Sequence, residues 1–121
     1  MATNGSVTDV TSATWQKVSE PSMAVVDFWA PWSGPCRKLG PIYEEVAKEL
    51  QVKYGGKVKF FKVNVDDEPA LTDSFGIRTI PAVIGFGGGK PLGRFQGMSK
   101  QALTDWVEKL ALANGALSTE Q

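Results

Sequence analysis

Residues 23–30, MAVVDFWA, do more than any other stretch to narrow what this chain can fold into. Eight residues with one charge, rich in β-branched and aromatic side chains, make a strand that needs cover on both faces. The middle of a sheet flanked by helices supplies it. The next residues are equally directive. Trp32-Ser33-Gly34-Pro35-Cys36 leads out of the strand. Ser33 can cap the free amides of a helix there, and Pro35 fits a first turn, where a missing N–H is harmless. Leu39, Ile42, Val46 and Leu50 recur at helical spacing until about Tyr54, and Gly55-Gly56 ends the helix. Pro41, inside it, should bend it by removing a backbone hydrogen bond. Asp27 is the one acid in the apolar run. A carboxylate there is costly unless neutral or paired, so its pKa should be raised.

The remaining pattern supplies the partners for that central strand. Residues 7–10 read as a short edge strand, and Ser12 or Thr11 caps a first helix through Val18, ending before Pro21. Residues 57–65 are a second strong strand, and 66–75 a short helix stopped by Gly76. Residues 82–86 and 92–95 form a hairpin around the turn 87–91. Ser99 caps a final helix with Leu103, Trp106, Val107 and Leu110 on one face, ending near Asn114-Gly115. This order predicts the α/β class: a central mixed β-sheet flanked by helices on both faces. A chain of 121 residues has room for one domain, placed at 7–114 between loose tails at 1–6 and 115–121.

Composition removes several kinds of chemistry. Thirteen basic and thirteen acidic residues balance to a formal charge of zero. No dense cationic cluster marks a nucleic-acid or anionic-membrane surface. There is no histidine, which excludes Ser-His and Cys-His nucleophile pairs and histidine metal sites. The single cysteine, Cys36, cannot form an internal disulfide or a thiolate cluster. The acidic run Asp66-Asp67-Glu68 reads as a solvated helix start, not a metal site. Gly87–Gly89 lacks the context of a phosphate loop. Residues 1–15 have neither the basic nor the apolar region of a secretory signal, and no apolar run suits a membrane span. Cytoplasm is the default location, or plastid stroma after removal of a transit segment.

Several separate stretches, in order, resemble the thioredoxin family. VDFWAPWSGPC at 26–36 is similar to its strand, active-site loop and helix start. Pro41 falls at its helix proline, and KVNVD at 62–66 at its third strand. GIRTIP at 76–81 carries its cis-proline loop, Gly88-Gly89 its hairpin turn, and Gly97 the glycine opposite the active site. The likeness spans about residues 7–112 and is strongest to bacterial and plastid types. It implies the thioredoxin fold and a monomer without bound cofactor or metal. It also implies reduction of disulfides in target proteins, with electrons from a thioredoxin reductase.

The resemblance assigns roles residue by residue, and one departure decides the outcome. Ser33 occupies the position of the attacking cysteine, Cys36 that of the resolving thiol, and Asp27 that of its proton acceptor, with Lys62 as neighbour. Trp32, Gly34, Pro35, Gly76, Ile80, Pro81 and Gly97 fall in the target-docking region. A serine hydroxyl lacks the acidity of a thiol, so the chain as written should not turn over. The intact remainder of the site makes an introduced substitution the simplest origin of Ser33. Two other readings stay open: a redox-silent protein-binding module, and single-thiol chemistry at Cys36, which burial would oppose. Bland readings also exist. Asp27 and Lys62 can be a buried packing pair, Cys36 a small core residue, and Pro81 an ordinary turn proline.

Overall fold

The computed structural model describes residues 6–115. The tails expected at 1–6 and 115–121 fall outside them apart from Ser6 and Gly115. Strands β1 (Val7–Asp9), β2 (Met23–Trp29), β3 (Val58–Asn64), β4 (Ala82–Gly87) and β5 (Lys90–Phe95) form one sheet in the order β1-β3-β2-β4-β5. β1, β3 and β2 run parallel, whereas β4 is antiparallel to β2 and β5 to β4. The expected central mixed sheet is therefore present, with the apolar run at its centre.

Alternation along β2 divides the core in two. Met23 and Val25 face helices α1 (Gly34–Lys53) and α3 (Lys100–Ala113), packed with Leu39, Tyr43, Phe60, Leu103 and Val107. Ala24, Val26 and Phe28 face the other way, toward Val18, Phe61 and Phe86. Helix α2 (Pro69–Ser74) and a 3-10 helix (Ser12–Ser19) lie on that second side. Asp27, in phase with Met23 and Val25, thus faces α1.

Beyond shifts of a residue at element ends, three elements differ from the sequence expectation, each for a local reason. The first helix is 3-10, with Thr11 as its N-cap. Trp15 and Val18, three apart, stack on one face at three residues per turn. Val18 is buried, and Trp15 meets Phe28, Phe75 and Phe86 at ring distances of 6.3, 5.3 and 5.3 Å. Helix α2 begins at Pro69, with Glu68 as its N-cap, so the acidic run precedes the helix instead of opening it. Strand β5 begins at Lys90, because Gly88 and Gly89, at φ of 58° and 85°, complete the turn by themselves. Pro91 is accepted because β5 is an edge strand.

Candidate functional site

Sheet register gathers the site at one end. Phe28 pairs with Ala82, so Pro81 lies against the end of β2, where the chain turns into α1. Val83 pairs with Phe95, which brings Gly97 to the same edge. The Ile80–Pro81 peptide is cis. Arg94 holds this loop from β5, donating from Nη2 to the Thr79 carbonyl at 3.2 Å and to Thr79 Oγ1 at 3.1 Å.

Ser33 is the N-cap of α1. It is extended at φ −86°, and its Oγ accepts the Cys36 N–H at 3.3 Å. Its carbonyl accepts the Arg37 N–H at 3.0 Å. Gly34 and Pro35 form the first turn, and α1 continues through Pro41 without interruption. Cys36, one helical turn inside, is 4% exposed. The helix start concentrates free amides and positive dipole at Ser33 Oγ, the setting that elsewhere lowers a thiol's pKa.

Behind α1 lies a pocket of about 270 Å3, lined by Asp27, Trp29, Cys36, Arg37, Gly40, Pro41, Tyr43, Glu44 and Lys62. Asp27 is 4% exposed, and its Oδ1 has no hydrogen-bond partner. Burial lifts its pKa from 3.8 to about 7, against the opposing pull of the Lys62 charge. Lys62 stands opposite Asp27 in the sheet register. Its ammonium, however, lies 3.9 Å from Glu44 Oε2 and 5.3 Å from the Trp29 ring centre. Lys62 is therefore a charged neighbour of Asp27, while its ion-pair partner is Glu44. The Tyr43 hydroxyl sits 2.7 Å from the Phe61 carbonyl and 2.9 Å from that of Val25, joining α1 to β3 and β2.

The residues that the resemblance places in the docking region divide into those that share a groove and those that stand beside it. Pro81 and Gly97 line one shallow groove with Leu39, Arg94 and Phe95, while Gly34 and Pro35 line another with Lys38. Met98, 41% exposed, belongs to both and joins them. Trp32, Ile80 and Gly76 line neither groove. Trp32 is 66% exposed, and its indole N–H donates to Asp66 Oδ2 at 2.9 Å. Asp66 is thus a specific anchor for Trp32 as well as part of a solvated run. Sequence reasoning passed over Met98, Tyr43, Glu44, Gly40 and the role of Asp66. Only the exposed apolar Met98 beside Gly97 carried a local signal. Among the described residues, no three Cys, Asp or Glu side chains converge as a metal site. No described helix is long and apolar enough to cross a membrane.

The sequence model of the thioredoxin family matches residues 6–109. The chain belongs to the thioredoxin family. It is 46% identical over 108 residues to the chloroplast M-type thioredoxin of Brassica napus, covering 86% of this chain and 53% of that protein. It is 40% identical over 111 residues to thioredoxin 1 of a Nostoc species, covering 90% of this chain and 98% of that protein. The chain therefore spans about half the length of the chloroplast thioredoxins it matches. A mutant thioredoxin from Halobacterium salinarum has a similar structure, with a TM-score of 0.75 at 26% identity over 91% of this chain and 95% of that one. The fold is accordingly the thioredoxin α/β fold. The site is a single-cysteine form of the thioredoxin motif, consistent with serine in place of one cysteine.

Proposed function

We propose that this chain is a thioredoxin-type protein-disulfide reductase whose turnover is lost at Ser33. The observation that carries the reading is the Ser33 cap on α1. An oxygen accepts the Cys36 amide where a nucleophilic sulfur would sit, with the second thiol buried one turn behind it. With sulfur at position 33, the helix start would favour the thiolate. That thiolate attacks one sulfur of a target disulfide, forming a mixed disulfide and releasing the other target sulfur as a thiol after it takes a proton. Asp27, half ionised near pH 7, accepts the Cys36 proton. Cys36 then attacks the sulfur at position 33, and the second target thiol departs. Electrons return from a thioredoxin reductase, and the cycle needs no bound cofactor.

Targets are disulfide-bearing proteins that dock along Pro35, Pro81, Gly97 and Met98, beside the exposed Trp32. The molecule works as a monomer in cytoplasm or plastid stroma. Ser33→Cys, assayed with a protein disulfide and a thioredoxin reductase, should turn over, whereas the chain with Ser33 should not. A folded Ser33→Cys chain without turnover would shift the function to a redox-silent protein-binding module. The solvent-exposed Trp32 and Met98 favour that second reading.

A further inference from the structure

Lys38 and Arg94 are the only charged residues that line the two grooves joined by Met98, and both are cations. A chain with as many acids as bases gives no general reason for that bias. Three other cavities each hold both signs: Glu44 with Lys62, Glu20 with Lys17, and Glu49 with Lys48. The acids that could neutralise the groove cations are engaged elsewhere. Glu44 pairs with Lys62, Glu45 and Glu49 with Lys100, and Glu108 with Lys53. Asp66 accepts from Trp32, which lines neither groove. Among the described residues, Lys38 and Arg94 have no ion-pair partner, and both are exposed.

The two cations reach the grooves from different elements. Lys38 stands one turn beyond Gly34 on the same face of α1. Arg94 comes from β5 and is already held in place. Its Nη2 donates to the Thr79 carbonyl and hydroxyl, while Nε and Nη1 have no acceptor among the described residues. A guanidinium fixed in this way loses less side-chain freedom when a carboxylate binds it. Two cations beside Pro35, Pro81 and Met98 suit a peptide with one or two carboxylates among apolar residues. They are too few for a nucleic acid or an anionic membrane.

We propose that the grooves select target disulfides flanked by carboxylates, and that Arg94 and Lys38 read that charge. Selection of this kind rests on the reading that targets dock here, and it fixes the chemistry beside the target disulfide. One carboxylate accepts from Arg94 Nε or Nη1, and a second lies against the Lys38 ammonium. The same two charges repel a target with basic flanks, so they discriminate in both directions.

The test uses the full chain with Ser33 and three synthetic peptides, each closed by one disulfide. The peptides differ only in the two residues beside the cysteines, which are glutamate, glutamine or lysine. Binding is followed by NMR through the amides of Gly34, Gly97 and Met98. At low salt the glutamate peptide should bind about tenfold more tightly than the glutamine peptide, about threefold for each contact, and the lysine peptide weakest. Salt at about 0.5 M, where the screening length is about 4 Å, should largely remove the difference. Arg94→Gln and Lys38→Gln should each cut the glutamate-to-glutamine ratio about threefold. Arg94→Gln also frees Thr79, but a disturbed loop weakens both peptides alike and cancels in the ratio. Lys59→Gln makes the same change of net charge in a different cavity and should leave the ratio unchanged. No binding of the glutamate peptide, equal affinities for the glutamate and glutamine peptides, a ratio unmoved by either groove variant, or one moved as much by Lys59→Gln overturns the proposal. So do amide shifts that grow with protein concentration alone, which would seat a second copy in the grooves. Ser33→Cys, assayed on the same peptides with a thioredoxin reductase, keeps the two readings apart. Turnover without a charge preference overturns the selection only, and a charge preference in binding without turnover overturns the reductase only.

Discussion

Replacing Asp27 with asparagine should stabilise the protein at alkaline pH and do little at pH 4. In the unfolded chain Asp27 titrates near its ordinary 3.8, and in the fold near 7, because burial opposes ionisation more than Lys62 favours it. Between those values the folded state holds a proton that the unfolded state has released. The stability from the protonated form is complete below about 4, falls as pH rises, and is lost above about 7. An interval of about three pH units, at about 1.4 kcal/mol each, amounts to about 4 kcal/mol. Asparagine has the same shape and never ionises, so it escapes that loss. With a urea dependence of about 2 kcal/mol per molar, the variant's unfolding midpoint at pH 9 should lie up to about 2 M above the parent's.

The assay is urea unfolding of both chains at several pH values between 4 and 9, followed by circular dichroism. Lys62 from β3, Arg37, Glu44 and Tyr43 from α1, and Trp29 from β2 line the same pocket as Asp27. Their contributions largely cancel in the difference between the chains. The gap should open between pH 4 and 7 and then stay level. A gap independent of pH, or a variant less stable than the parent at pH 9, would refute the claim that Asp27 is buried without adequate compensation.

Two further substitutions probe the site's framework. Ser33→Ala removes the acceptor for the Cys36 amide and should cost about 1 kcal/mol in urea unfolding; no loss would mean that Ser33 does not cap α1. Gly97 lies at φ 149°, where an added Cβ would come within 2.9 Å of Phe95 Cζ. Gly97→Ala should therefore cost about 1–3 kcal/mol by the same measurement, and an unchanged midpoint would show that this backbone relaxes freely.

What the sequence discloses is local, and what it withholds is pairwise. An acid within MAVVDFWA is unusual on one-dimensional grounds, so the residue pattern alone singles out Asp27. It does not say which charges meet around that acid. Lys62 does stand opposite Asp27, yet α1 carries Glu44 to its ammonium, a relation set by packing of a helix on a sheet. Asp66 and Trp32 are 34 residues apart and meet only because the β2–α1 and β3–α2 connections share one end of the sheet. The 3-10 helix is obscured for another reason. Its cap residues suit either helix type, and the choice follows from Trp15 and Val18 both turning toward the same aromatic cluster.

Ser33 separates two requirements that one sulfur would satisfy together. Capping α1 needs an acceptor lone pair at this position, and a hydroxyl oxygen supplies it to the Cys36 amide. Turnover needs an atom that gives up its proton near neutral pH, which a thiol does at a helix start and a hydroxyl does only beside a strong base. No histidine exists in the chain, and Asp27 shares its pocket with Cys36, not with Ser33. The fold therefore accommodates oxygen at position 33, and on the proposed reading it is the exchange reaction that fails there. Oxygen in place of sulfur leaves the acid, the helix and the grooves around Pro81 and Pro35 standing. Cys36 remains the only thiol in the chain, buried one turn inside α1 and lining the same pocket as Asp27.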